Sequence, residues 1–349
     1  MLVLLISSVY FVVCASQERP PIVELPVQPS PGDTKRLTGK ALVDYVNSRQ
    51  SLFKAEYSPE AEHRLGHLMK LDFIKNARKR YNIPKAEKSP INVQIPESFD
   101  SREKWPNCSS ISLIRDQSNC GSCWAVSAAE TMSDRICVQS KGEKQVLISD
   151  VDILSCCGDE CGYGCEGGLD HKAWEYARDF GVCTGGLYEQ PHVCKPYPFH
   201  PCGKHGWKSY PPCPMDHLYK TPLCRKYCQY GYDKRYEEDK FYAKKVYILD
   251  EDEEEIQKEM LKYGPVQAAF SVYEDFSYYR KGIYKHTYGR PRGGHAVKIV
   301  GWGVENGTKY WTVANSWNDD WGENGYFRIL RGENHCDFES YVVSGTFKV

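Results

Sequence analysis

Two cysteines three residues apart open the chemistry of this chain. They lie in Cys120-Gly121-Ser122-Cys123-Trp124-Ala125, and the run Ala125-Val126-Ser127-Ala128-Ala129-Glu130 beyond them is rich in helix formers. Cys123 therefore falls at or near a helix N-terminus, where unpaired N–H groups and the positive end of the dipole favour a thiolate. Three readings are open. The plainest is a buried structural cysteine. The second is a redox pair, because Cys120 and Cys123 form C-x-x-C. The third is a nucleophile, which needs a distant histidine as base and an asparagine to orient it.

The C-terminal part holds both. Gly293-Gly294-His295-Ala296-Val297 is followed by Tyr310-Trp311-Thr312-Val313-Ala314-Asn315-Ser316-Trp317. A thioredoxin-like unit neither needs nor explains these blocks. C-G-[SA]-C-[WY] with His and Asn roughly 130–150 residues downstream is the signature of papain and cathepsins, and the chain resembles that family. Here His295 and Asn315 lie 172 and 192 residues past Cys123, so an insertion is expected between the two halves.

Other elements must position these residues. Met1 to Val13 is an apolar run closed by Cys14-Ala15-Ser16, about the length of a signal-peptide h-region and too short to span a bilayer. Residues 1–15 are expected to be a signal peptide, and no transmembrane span is expected. A Pro-rich arm follows, then a helix over 39–50 with Leu42, Tyr45 and Val46 on one side. Ser58-Pro59 reads as an N-cap and N1 pair for a second helix, continued by Leu65, Met69, Phe73 and Ala77 at helical spacing. Residues 35–88 hold 13 Lys and Arg against 6 Asp and Glu, whereas residues 95–349 carry a net −6. A basic leader could bind nucleic acid, but no motif for that is present. A detachable inhibitory pro-segment over 16–94 fits better, cut between about Ser89 and Pro96 and released as carboxylates on the acidic body protonate.

The body, 95–349, carries 14 of the 16 cysteines between Cys108 and Cys228, the density of a disulfide framework in a secreted chain. Cys156, Cys157, Cys161 and Cys165 could pass for a zinc site, but disulfides are the expected state and no metal or cofactor is assigned. A helix through Ile256 to Tyr263 ends at Gly264-Pro265. Val266 to Val272, Gly294 to Val300, Lys309 to Ala314 and Tyr326 to Leu330 read as strands. The expected fold class is α+β: a helical, disulfide-rich half over about 107–241 and a β-barrel-like half over about 242–349 with 95–106. The active-site cleft lies between them.

Asp150-Val151-Asp152-Ile153-Leu154-Ser155-Cys156-Cys157, Gly185-Gly186-Leu187-Tyr188 and the stretch from Pro201-Cys202 to Pro212-Cys213 are similar to the cathepsin B branch of the papain family. The last matches the occluding loop (202–213), which in relatives turns an endopeptidase into a peptidase that releases C-terminal dipeptides. The resemblance implies Cys123 as nucleophile, His295 as base, Asn315 as its orienter, Trp317 as a shield over that contact, and Gln117 with the Cys123 N–H as oxyanion hole. It assigns substrate binding to Gly167, Gly168, His205, Tyr341 and Trp317. It implies disulfides Cys108–Cys137, Cys120–Cys165, Cys156–Cys224, Cys157–Cys161, Cys194–Cys228 and Cys202–Cys213, leaving Cys183 and Cys336 free beside Cys123. Asn107 and Asn306 open glycosylation sequons.

Three departures stand out. Relatives carry two adjacent histidines in the occluding loop, whereas this chain has Lys204-His205. His205 is expected to hold a substrate carboxylate; Lys204 stands opposite Asp116, where a pair, if formed, would persist from mildly acid to neutral pH, and where the flexible lysine could instead loosen the latch. Tyr341 replaces the acidic floor of the S2 pocket; an Arg there would lose water without gaining a partner, so apolar P2 residues are expected to be preferred. The stretch Tyr310 to Glu323 is similar to gut cathepsins B of blood-feeding nematodes, with Thr312 departing. The whole points to a zymogen of a cathepsin B-like endopeptidase and peptidyl-dipeptidase acting at acidic pH in lysosomal or digestive degradation. Its site would be the secretory pathway, either secreted (a gut lumen included) or lysosomal. Expected partners are protein and peptide substrates, cystatin-type inhibitors and its own pro-segment, and a monomer is expected. The rival class is a non-catalytic binding protein on the same fold, disfavoured because all four catalytic positions are present.

Overall fold

The computed structural model describes residues 37–75, 77, 81–87 and 94–349; the expected signal peptide, the Pro-rich arm and most of the expected processing region lie outside them. Helix α1 (Gly39–Arg49) buries Leu42, Val43 and Val46. A three-residue strand β1 (Phe53–Ala55) and a short helix α2 (Pro59–Arg64) follow, the latter capped by the Ser58 hydroxyl, which accepts from the Glu60 N–H.

The helix expected to run on through Met69 and Phe73 stops at Arg64 and passes through one 3-10 turn, Leu65–His67. Leu68 and Lys70 are extended, and Met69 exchanges backbone hydrogen bonds with Gly294 at 2.8 and 3.1 Å. The apolar spacing is real, since Leu65, Met69 and Ala77 are buried. Tertiary pairing has overridden the helical preference, because a helix would have spent the backbone groups that Met69 gives to Gly294.

The body is built on α4 (Cys123–Gln139), preceded by β2 (Phe99–Asp100) and α3 (Ser101–Lys104). Every α4 residue from Cys123 to Val138 is buried, as expected of a helix packed on all sides. It is flanked by α5 (Asp150–Cys156) and α6 (Asp170–Asp179). Beyond the small hairpin of β3 (Lys204–His205) and β4 (Lys208–Ser209) come β5 (Ala243–Ile248) and α7 (Glu253–Tyr263), the latter N-capped by Asp252. The remaining strands are β6 (Val266–Tyr273), β7 (Tyr279–Tyr284), β8 (Pro291–Glu305), β9 (Thr308–Ala314), β10 (Tyr326–Leu330) and β11 (Val342–Phe347). They form one nine-stranded sheet ordered β1-β7-β10-β9-β8-β6-β11-β5, with β2 pairing on β8. Six disulfides are formed: Cys108–Cys137, Cys120–Cys165, Cys156–Cys224, Cys157–Cys161, Cys194–Cys228 and Cys202–Cys213. Among the described cysteines, Cys123, Cys183 and Cys336 are free.

The N-terminal segment is held mainly by apolar contact. Leu42, Val46 and Phe53 share a core with Phe276, Tyr279, Tyr284 and Phe327, and β1 pairs antiparallel with β7. Its ion pairs to the body, such as Lys85–Asp250 at 2.9 Å and Lys70–Glu166 at 3.9 Å, are largely exposed and contribute little each. Phe53→Ala should therefore loosen the segment far more than removing either lysine, by about 3 kcal/mol. The check is the rate at which a thiol-directed active-site reagent labels the full-length zymogen at neutral pH, expected to rise at least roughly tenfold in Phe53→Ala.

Candidate active site

Cys123 is the first residue of α4. Ser122, at the N-cap, does not cap the helix; its hydroxyl is hydrogen-bonded to Tyr197 Oη at 2.8 Å. The helix's first N–H groups are thus left for the cleft. The sulfur is approached by the backbone N–H groups of Trp124, Ala296 and Met69, which favour a thiolate.

His295 and Asn315 are delivered by neighbouring strands. His295 lies on β8, opposite Phe270 of β6, and Asn315 directly follows β9, whose Ala314 pairs with Lys298 of β8. The His295 Nε2–H donates to Asn315 Oδ1 at 2.7 Å. That leaves Nδ1, which is buried and has no hydrogen-bond partner, as the nitrogen able to take the thiol proton. The Trp317 ring stacks on His295 at 4.9 Å and keeps water from the His–Asn contact.

Gln117 is fixed from both ends. Its N–H donates to the Ser316 carbonyl at 2.9 Å, and its Oε1 accepts from the Ser316 hydroxyl at 2.7 Å. The amide nitrogen is thereby turned to the cleft, where it donates to the carbonyls of Cys120 (2.9 Å) and His67 (3.0 Å). A carbonyl of the N-terminal segment thus already occupies the donor that a reacting substrate would use. Sequence reading passed over Ser316, although its place between Asn315 and Trp317 was the available signal. Gly167 and Gly168 admit no side chain. A Cβ at Gly167 would come within 2.6 Å of Met69 Cβ, and one at Gly168 within 2.5 Å of the Trp124 ring.

Burial sets the charge state. Cys123, His295 and Asn315 are fully covered. Lost solvation pushes the thiol up to about 12 and the imidazole down to about 4. Covered, the pair is neutral thiol and neutral imidazole. Exposure to water removes the penalty on both ions, leaving the helix N-terminus and the nearby N–H groups to favour the thiolate.

The occluding stretch corrects one expectation. Lys204 makes no ion pair with Asp116. Along the β3–β4 hairpin Lys204 is exposed and His205 half-buried, as alternation along a strand allows, and both border the same cavity. Asp116 instead accepts from the Ser118 N–H at 2.6 Å and Asn318 Nδ2 at 2.9 Å. His205 Nδ1 faces Asp320 at 3.0 Å, Nε2 faces the Cys202 carbonyl at 3.1 Å, and Asp116 lies 3.9 Å away. The Asp320 carboxylate holds the His205 imidazolium above its ordinary range. Together they line a cavity of about 370 Å³ with Glu60, His63, Arg64 and His67. Tyr341 is buried, its hydroxyl 2.5 Å from His171 Nδ1. Asn107 and Asn306 are exposed, Asn306 in the turn between β8 and β9.

A nucleophilic thiol at a helix N-terminus, an Asn-oriented imidazole and a side-chain amide donor make a cysteine protease site, and the chain belongs to the papain family: the Papain family cysteine protease model matches residues 95–346. Within it the chain is cathepsin B-like. It is 48% identical over 328 residues to "Cathepsin B-like cysteine proteinase 6" of Caenorhabditis elegans, covering 91% of this chain and 85% of that one. It is also 48% identical over 313 residues to that organism's "Gut-specific cysteine proteinase", covering 90% and 92%. The solved proCathepsin B S9 from Trypanosoma congolense superposes with a TM-score of 0.76 at 36% identity, over 90% of this chain and 99% of that one. The protein is therefore described in its zymogen form, with its own pro-segment as inhibitor. No described helix is long and apolar enough to cross a membrane.

Ser316→Ala should free the Gln117 amide to rotate. The kcat of the activated enzyme is expected to fall roughly tenfold, the worth of one buried hydrogen bond, with a smaller change in KM; Gln117→Ala should cost about 3 kcal/mol, or roughly a hundredfold. Steady-state kinetics on one peptide substrate separates the two.

Proposed function

We propose that the mature protein hydrolyses peptide bonds at acidic pH through an acyl-enzyme on Cys123, cutting internally and also releasing C-terminal dipeptides. The observation that carries the reading is the His295–Asn315 hydrogen bond, which leaves Nδ1 unpartnered in the same cleft as the helix-terminal thiol. The thiolate attacks the scissile carbonyl, and the oxyanion takes the Gln117 amide N–H and the Cys123 backbone N–H. His295 gives its proton to the leaving amine and then activates the water that cleaves the thioester. Dipeptide release rests on His205. In the zymogen both of its ring nitrogens are engaged, so capture of a substrate carboxylate exchanges the Cys202 carbonyl for that carboxylate. The disulfide-rich body and the similarity to a gut-specific proteinase support a secreted digestive or lysosomal enzyme that meets cystatin-type inhibitors, acts as a monomer and carries glycans at Asn107 and Asn306. Labelling of Cys123 by a papain-directed epoxide, lost in Cys123→Ser, tests the peptidase reading. Dipeptide release lost in His205→Ala, with internal cleavage retained, tests the second activity.

Activation follows from the groups around Arg64. His63 and His67 lie edge to face at 4.7 Å, each with a buried, unpartnered Nε2. Burial holds both imidazoles below their ordinary range, His67 down to about 3, with the Arg64 cation adding to the effect. Glu60, Asp116, Asn119, His205 and Asp320 face the same cluster. A depressed imidazole costs the docked state nothing above the free value near 6.5. It costs about 1.4 kcal/mol per pH unit as pH falls from there toward the docked value. Burial raises the Asp116 carboxyl; a raised carboxyl is favoured by acid, so it opposes release and the imidazoles drive it. Processing should accelerate between about pH 6.5 and 4. In His67→Phe the midpoint should move to lower pH by at least about half a unit, as read from gel time courses of the purified zymogen; an unshifted midpoint would place the sensor elsewhere.

A further inference from the structure

The pro-segment adds backbone pairing to the far edge of the body's sheet as well as to β7. β5 closes the strand order and pairs with β11 on one side. On its other side the Ile248 N–H donates to the Pro84 carbonyl, and the Ile248 carbonyl accepts from the Ala86 N–H, both at 2.9 Å. Lys85 thereby forms a parallel bridge with Ile248. Ile83 is buried in the same apolar cluster as Val246 and Ile248. Beside this seam lies a cavity of about 330 Å³, lined on the body's side by Arg178, Lys244, Lys245, Tyr247, Glu259 and Tyr263. The acid among them is committed inward, since Glu259 accepts from Arg135 and from the Tyr247 hydroxyl at 2.8 Å. Asp250, past the end of the strand, meets Lys85 at 2.9 Å. Lys244 and Lys245 are exposed. Lys245 holds the Glu87 carboxylate of the pro-segment at 2.8 Å, and the charge of Lys262 on α7 acts on the same carboxylate. Lysines on a bare sheet edge ordinarily deter pairing. Here a chain is seated on the edge all the same, and its acid meets a lysine, whereas at β7 a lysine faces a lysine.

We propose that, once the pro-segment has gone, the β5 edge is an exosite that captures an extended acidic stretch of a protein substrate, through backbone pairing at Ile248 and ion pairs with Lys244, Lys245 and Lys262. The proposal rests on the peptidase reading above. The pro-segment traces the route. It covers Gly294 with Met69, lays the Tyr81 ring 4.7 Å from His171, and reaches Ile248 four residues later at Lys85. Its Arg64 and His67 lie at the His205 cavity, where the C-terminal end of a substrate is held. The N-terminal side of a long substrate therefore leaves past His171 toward β5. The captured stretch is acidic because the outward charges of the edge are cations. It is extended because a strand satisfies the Ile248 N–H and carbonyl that the pro-segment vacates. A contact so far from the scissile bond holds substrate and transition state alike, so it lowers KM and leaves kcat unchanged.

The test gives activated enzyme a fluorogenic Leu-Arg core, bare or extended at its N-terminus through a linker of about six Gly and Ser residues. The extension is acidic (Glu-Ala-Glu-Ala-Glu), neutral (Gln-Ala-Gln-Ala-Gln) or acidic with prolines that block strand pairing (Glu-Pro-Glu-Pro-Glu). At about pH 6, where the glutamates are ionised, and at low salt, the acidic tail should raise kcat/KM over the neutral one roughly fivefold or more, through KM. High salt should erode the gain, and Lys244→Ser combined with Lys245→Ser should abolish it without changing turnover of the bare core. The wild-type comparison stands even if that variant fails to fold. Equal rates on acidic and neutral tails, with the bare core turned over, would overturn the exosite and leave the peptidase reading intact. A gain that survives in the folded lysine variant would do the same. A proline tail as effective as the acidic one would overturn strand pairing. A pro-segment fragment or a second copy still bound to the activated enzyme, seen by native mass spectrometry, would overturn the substrate as occupant. No turnover of the bare core would overturn both readings.

Discussion

Catalytic geometry in this protein depends on a joint between a helix and a sheet. The thiol comes from α4 and the imidazole from β8, so their separation is only as well defined as the packing of one on the other. That packing is made of buried polar contacts. Lys298 of β8 meets Asp134 of α4 at 2.9 Å, with both side chains fully buried. Gln267 of β6 donates to the Trp124 carbonyl at 3.0 Å and the Ser127 hydroxyl at 2.8 Å, while accepting from the Trp174 indole. Arg135 reaches the Pro265 and Gly345 carbonyls across the same joint. A buried ion pair adds little net stability over an apolar pair, but losing one partner costs about 3–5 kcal/mol. Unlike an apolar contact, it also cannot slide by a residue without leaving a charge unpaired. The joint therefore fixes register, and the Cys–His relation inherits it.

The inhibitory segment acts on that geometry in two ways. It occupies the groups chemistry would use: the Gln117 amide is taken by the His67 carbonyl and the Gly294 backbone by Met69. It also changes the medium around the pair. By excluding water it raises the thiol and lowers the imidazole, so the latent enzyme holds its nucleophile in the unreactive form without moving either residue. Anchoring is separated from sensing. Aromatic and aliphatic contacts under α1 and β1 hold the segment, while the buried imidazoles of His63 and His67 lie beside Arg64 and the β3–β4 hairpin.

Much of this was legible in the chain because it rests on local signals. The helix at Cys123, the Asp252-capped α7, and the strands bearing His295 and preceding Asn315 follow from propensity and periodicity. What could not be read depends on partners far apart in sequence. The periodic run Leu65, Met69, Phe73 looks helical because its apolar spacing survives, yet its backbone is extended to pair with Gly294. Lys204 looked like the partner of Asp116 because adjacency in a loop says nothing about which side of a hairpin faces in. Ser316 is an unremarkable serine until Gln117 is seen bonded to it, 199 positions away.

The strand β1 has a consequence for the molecule after the pro-segment is gone. It supplies one edge of the body's sheet, pairing Phe53 with Gly282 and Lys54 with Lys281 on β7. Two lysines thus sit directly opposite each other, an unfavourable cross-strand pair, so the seam is weakest at its centre and held by Phe53 and Ala55 on the buried face. Once the seam parts, β7 becomes a bare edge able to template another chain. That edge is six residues long and presents Arg280 and Lys281 to solvent, the short, cationic kind of border that resists pairing with a second sheet. The same lysine that opposes Lys54 across the seam leaves the uncovered border cationic.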